Sequence, residues 1–297
     1  MGIKKTQVKA GSPLPAMLRS VILVCAIPLF AACSSAPKNP GDVFDMRKQA
    51  ESQLDLGNKQ SDRGNNDDAL ILLTEAQRLA RACDDSSLII RTSLSRGNVL
   101  LGLGKSADAS AEFDTALAEA QRIGDRELSA VSRIHMYRYQ LLMGLAPAQN
   151  LKDKTASERA NIKTEPLYTA FAWTVSGLIE KEMGYFAGAE AALKQALAIH
   201  EKGRYLEQAA YDWFLIASFR SQDKNYPLSR EALTQSLTLD RRVENSYGLA
   251  SDWRALGDIY AKEGNSAESK TAYMRSAVIF RAQGNDEAAL EAESRIK

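Results

Sequence analysis

Histidine, cysteine and proline are scarce in this chain: 2, 3 and 8 residues among 297. The two histidines, His135 and His200, lie far apart with no cysteine or second histidine at ligand spacing. A clustered metal site is therefore not expected, and no cofactor is implied. Few prolines mean few interruptions of helical periodicity, and abundant alanine and leucine favour helix. The formal net charge is +1, and no run of like charges follows the N-terminus, which argues against a nucleic-acid surface. No G-x-S-x-G elbow, P-loop or dinucleotide fingerprint is present. The segment GLGKSAD from Gly102 lacks the glycine that a phosphate loop needs five places before Gly104 and Lys105. No catalytic constellation emerges, so an enzyme is not expected.

Long apolar runs are missing too. The stretch from Val21 to Phe30 is about ten residues, too short to cross a bilayer core of about 30 Å. With Arg19 before it and small residues after it, the segment MLRSVILVCAIPLFAACSS from Met17 reads as a secretory signal. Met17 is the expected true start. Phe30-Ala31-Ala32-Cys33 resembles the lipobox of bacterial lipoprotein signal peptides, although Phe30 stands where leucine is usual. The resemblance implies a lipid on Cys33 and removal of residues 1–32. That cleavage discards Lys4, Lys5, Lys9 and Arg19 and no acid, taking the net charge from +1 to −3. Residues 33–41 then form the lipidated cysteine and a Pro/Ser/Gly tether. Cys83 is left without a cysteine partner, so no internal disulfide is expected.

From residue 42 onward the pattern is helical and repeats. Stepping back in forties from Gly257 gives Ala217, Gly177, Tyr137, Gly97 and Gly57. From Gly264 the series is Lys224, Gly184, Gly144, Gly104 and Gly64. From Ser276 it is Ser236, Ala196, Ala156, Ala116 and Ala76, and from Tyr273 it is Leu233, Leu193, Asp153, Phe113 and Leu73. Small residues in the first column, Tyr137 excepted, allow close helix approach, and glycine in the second ends a helix with left-handed backbone angles. Each forty-residue unit is thus expected to be two antiparallel helices that need neighbours to cover their apolar faces. Polar turns at Cys83, Gly124 and Gly284 should supply N-caps. The unit at 130–169 carries Gln149 and Asp153 in apolar columns, and is expected to stay in phase through Gly144 and Ala156.

Trp253, Leu256, Gly257, Tyr260, Ser269 and Tyr273 match the W-x2-L-G-x2-Y…A-x3-F signature, with Ser for Ala. These residues resemble the tetratricopeptide repeat. The resemblance implies an all-α, right-handed α-solenoid of about six helix pairs over 42–297. The units lie near 50–89, 90–129, 130–169 (degenerate), 170–209, 210–249 and 250–284, and residues 285–297 cap the stack. It also implies that first helices line a concave binding face. There it places Asn58, Leu54, Arg91, Leu94, Asn98, Phe171, Thr174, Leu178, Lys181, Tyr211, Phe214, Ser218, Ser221, Ser251, Arg254 and Asp258. Eighteen of the twenty-one aromatics lie at or beyond Tyr137, so Phe171, Tyr211 and Phe214 with Arg254 are the candidate contact patch. The expected function is a membrane-anchored scaffold of the bacterial envelope, facing the periplasm from the outer membrane and binding another envelope protein or peptide. The alternative is a lipoprotein that holds an apolar small molecule for a transporter or delivery pathway.

Overall fold

The computed structural model describes residues 42–296. The expected signal sequence, Cys33 and the tether lie outside them. From Met46 onward the chain forms one compact unit. Thirteen helices follow one another among the described residues: α1 (Asp42–Asp62), α2 (Asn66–Ala82), α3 (Ser86–Gly102), α4 (Ser106–Arg122), α5 (Arg126–Leu142), α6 (Ala148–Arg159) and α7 (Pro166–Glu182), then α8 (Phe186–Gly203), α9 (Leu206–Gln222), α10 (Tyr226–Val243), α11 (Ser246–Lys262), α12 (Ser266–Ala282) and α13 (Asp286–Ser294). No helix among them is long and apolar enough to cross a membrane. Helices α1 to α12 make six antiparallel pairs, the first joined where Gly57 meets Leu73, and α13 packs on α12 at the end of the row.

The turns carry the repeat in the backbone. Left-handed residues recur every twenty positions: Gly64, Asp84, Gly104, Gly124 and Gly144, then Gly184, Arg204, Lys224, Glu244, Gly264 and Gly284. The beat is missed only at Thr164. Asp85, Asp125, Asn245 and Asn285 follow these turns and accept the backbone N–H groups of Leu88, Leu128, Gly248 and Ala288. Each thereby satisfies a donor that the helix start leaves free.

Inside each pair, the small column of the first helix meets the large column of the second. A Cβ on Gly57 would lie 2.7 Å from Leu73, and one on Gly257 would lie 2.5 Å from the Tyr273 ring. Gly97 stands against Phe113 and Gly177 against Leu193 in the same way. Ala76, Ala116, Ala196, Ser236 and Ser276 are buried at the crossings. The two serines donate to carbonyls of the first helix, Ser236 to Ala210 at 2.9 Å and Ser276 to Ala250 at 2.7 Å. Phe113 and Phe280 are fully enclosed, each contributing roughly 1.5–3 kcal/mol by burial.

Unit three departs from this scheme, and the expectation that it keeps phase through Ala156 is not met. Pro147 holds the N-cap, and α6 begins at Ala148 instead of the position that the forty-residue step predicts. Leu151 and Thr155 are buried, while Gln149, Asp153 and Ala156 are exposed. The register has moved by two residues, which takes Asp153 out of a column that must be apolar. On the facing helix the column that holds Gly or Ala in the other units carries Tyr137, which is partly buried against the core. Helix α6 has twelve residues where its counterparts have 17 or 18. The loop after it is tied back to α5 by the Glu127 carboxylate, which accepts from the Thr164 N–H, the Thr164 hydroxyl and the Glu165 N–H.

First helices of successive units touch: α3 meets α5, α5 meets α7 and α9 meets α11. That places them on the inner side of a curved row. The curve is tight enough to bring unit six back to unit one. The Tyr247 ring at the start of α11 lies against Gly64 in the α1–α2 turn, where any Cβ would collide with it.

Candidate functional site: the inner groove

Helices α3, α5, α7, α9 and α11 present one face each to the groove, and successive residues on that face lie three or four positions apart. Tyr211 on α9 is the largest exposed group there, with 52% of its surface free. Its ring stacks on Phe214 one turn along, with centroids 6.4 Å apart. Burial of its hydroxyl end pushes the Tyr211 pKa up, and the Arg138 charge on α5 partly offsets that rise.

Phe214 forms one wall of a pocket of about 180 Å³ between α9 and α11, together with Ser218, Ser221, Asp258, Ile259 and Lys262. Lys262 donates to Ser221 at 3.0 Å across its mouth. Asp258 accepts from the Tyr273 hydroxyl at 2.7 Å and pairs with Arg295 at 2.7 Å. Arg254 pairs with Glu291 of α13 at 2.6 Å, so the end cap neutralises its charge.

Phe171 takes a different place. It is half-buried, and its ring stacks on His135 with centroids 4.0 Å apart. His135 in turn stacks on Phe113 at 5.7 Å. Burial, with the Arg138 charge beside it, pulls the His135 pKa down to about 3, so the ring is a neutral packing element. Asn98 sits at the edge of this stack, with its Oδ1 3.3 Å from His135 Nδ1 and 3.4 Å from Arg138 Nη1. Asn58 is half-buried one unit earlier. The structure thus groups Tyr211 with Phe214 and groups Phe171 with Asn98, while Arg254 is held by the cap. Leu54 and Leu94 do not line the groove. They are 1% and 4% exposed and belong to the core, because their places on α1 and α3 turn toward the second helices.

Two buried polar pairs at the unit junctions are not apparent from the helical periodicity. His200 Nδ1 of α8 lies 2.6 Å from the Asp212 carboxylate of α9, both enclosed. At the next junction Asp240 of α10 and Asp252 of α11 occupy the corresponding places, 3% and 1% exposed. Asn245 donates to Asp240 at 3.0 Å, and one oxygen of Asp252 has no partner. The signal was present as a broken column: Ala80, Ala120 and Ala160 give way to His200 and Asp240. Among the described residues no three metal-ligating side chains come together.

No protein-family model and no curated protein matches the chain. Solved structures do. The chain is similar to a Rap protein complexed with Competence and Sporulation Factor, with a TM-score of 0.56 at 14% identity, covering 84% of this chain and 74% of that one. It is also similar to a signal transduction ATPase with a tetratricopeptide repeat sensor from Pyrococcus horikoshii, with a TM-score of 0.50 at 13% identity. That match covers 85% of this chain and 42% of the other. The fold is a tetratricopeptide-like α-solenoid. In this tetratricopeptide-like frame the first helices line the groove, and Tyr211 and Phe214 stand on that face of α9.

Proposed function

We propose that this chain is a membrane-anchored scaffold of the bacterial cell envelope that binds a protein or peptide partner in its inner groove. The supporting observation is the stacked Tyr211–Phe214 pair: half of the tyrosine surface is open to solvent on the face that solenoids of this type use for contacts. Large aromatic groups on an accessible concave surface are typical anchors of protein recognition. A solved structure of similar fold holds the Competence and Sporulation Factor, which agrees with a groove that takes a partner. The anchor is the lipid proposed on Cys33, with the chain facing the periplasm from the outer membrane. The role is non-catalytic. The pocket beside Phe214 is about 180 Å³, below the range of about 300–1,000 Å³ usual for small-molecule sites. This favours an extended partner over an enclosed apolar ligand at that place.

The test is a photo-crosslinking residue at position 214 in the lipidated protein, expressed in its own envelope, with adducts read by mass spectrometry. A recurrent protein adduct that disappears with Tyr211→Ala is the expected result. Adducts with small molecules alone, or no adduct above background, overturn the proposal.

A further inference from the structure

The displaced helix of unit three leaves a cleft on the side of α7 opposite the groove. Trp173, Ser176, Ile179 and Glu180 form its floor, with Lys152, Ala156 and Arg159 of α6 on one wall and α8 on the other. Its volume is about 350 Å³, within the range of small-molecule sites. The groove residues of α7 (Phe171, Thr174, Leu178) point the other way, so this cleft is separate from the proposed partner site.

The charge in the cleft is uncompensated. The Arg159 guanidinium lies 3.5 Å from the centre of the Trp173 ring and donates from Nη1 to Ser176 Oγ at 2.6 Å. Burial lowers its pKa, and no carboxylate offsets that shift. The surrounding acids are engaged elsewhere: Glu158 with Arg133, Glu180 with Lys152, and Glu190 with Arg220 and Lys194. In unit two the place of Ser176 is held by Arg96, whose charge meets Glu112 at 2.6 Å. Unit four has lost that pairing and gained a guanidinium from α6 with a free edge. A planar fork fixed on an indole and facing a half-apolar space suits bidentate binding of a carboxylate. Trp173, Ile179, Ala191 and Ala192 offer the apolar contact for the rest of the ligand.

We propose that the α6–α7–α8 cleft binds a small molecule with an apolar body and one carboxylate, held by Arg159 against Trp173. Phenylacetate is a suitable probe, with 2-phenylethanol as the same body lacking the charge. Trp213 and Trp253 are replaced by phenylalanine in the full chain, so that Trp173 reports alone, and both compounds are titrated by fluorescence and calorimetry. Phenylacetate is expected to saturate the Trp173 signal and to bind at least about tenfold more tightly than the alcohol. Arg159→Gln should abolish that preference, and Arg159→Lys should retain part of it. The melting temperature of Arg159→Gln should stay level or rise, because no folded-state ion pair is lost. Absence of saturable phenylacetate binding, equal binding of acid and alcohol, or binding unchanged by Arg159→Gln overturns the proposal. So does a melting temperature several degrees lower in Arg159→Gln, which would make the guanidinium a structural brace.

Discussion

Gly257 and Gly264 lie seven positions apart and serve different physical needs. At Gly257 the missing Cβ makes room for the Tyr273 ring, so the constraint is volume. At Gly264 nothing lies within reach, and the constraint is a backbone angle of φ +81°. Lys224 adopts the same kind of angle in the same column, at φ +60°, so that site tolerates a side chain. Gly257→Ala should therefore destabilise the chain by about 1–3 kcal/mol through overpacking, and Gly264→Ala by about 1 kcal/mol. Urea unfolding of the two variants checks the order. Both columns were legible in the sequence because glycine has few reasons to recur at a fixed step. The buried acids left only a broken column at Asp240, since the letter Asp does not say which way a side chain points. Asp240 and Asp252 make that direction measurable. Burial raises Asp240 to about 6, and burial with the neighbouring Asp240 charge raises Asp252 to about 8. The folded chain then keeps protons that the unfolded chain releases near pH 4. Stability contributed by the pair is thus full below about pH 4 and declines as pH rises toward 8. Asp252→Asn should raise stability at pH 8.5 by at least about 1 kcal/mol and change it little at pH 4. Thermal unfolding across that range decides it, and a pH-independent difference would contradict the assignment.

Among the elements, α6 is the one in which the repeat fails. The sequence announced the failure through Gln149 and Asp153, and the whole-chain period hid its form. A fixed step of forty assigns each residue a column, whereas α6 starts behind Pro147 at its N-cap and buries Leu151 and Thr155, two residues out of step. Only Leu151 and Thr155 of α6 are buried, against six residues in each of α8 and α10. Little apolar surface holds a twelve-residue helix in place, so it should open more readily than its neighbours. Amide hydrogen exchange is expected to be faster throughout α6 than in α4 or α8. Protection of α6 equal to that of α8 would show that the Glu127 tie and Leu151 suffice to hold it.

At the scale of the molecule, the units are built from contacts between neighbours, and the curve of such a row follows from the small rotation between units, which a contact between its ends restrains. The Tyr247–Gly64 contact supplies that restraint. Tyr247→Ala should leave the helix content unchanged and increase the radius of gyration in small-angle scattering. An unchanged radius would mean that the stacking of adjacent units alone sets the curve. The overall architecture was legible from period and signature, but this contact was not, because no column links a turn glycine to a tyrosine five units away. The contact also has a consequence in time. The pairing of helices within and between adjacent units joins residues that leave the ribosome close together, so each pair can settle soon after it is made. Residues 64 and 247 meet only when nearly all of the chain exists. A product that stops before unit six can thus have well-formed helices and correct turns and still lack its seam, which makes closure a physical record that synthesis has passed residue 247.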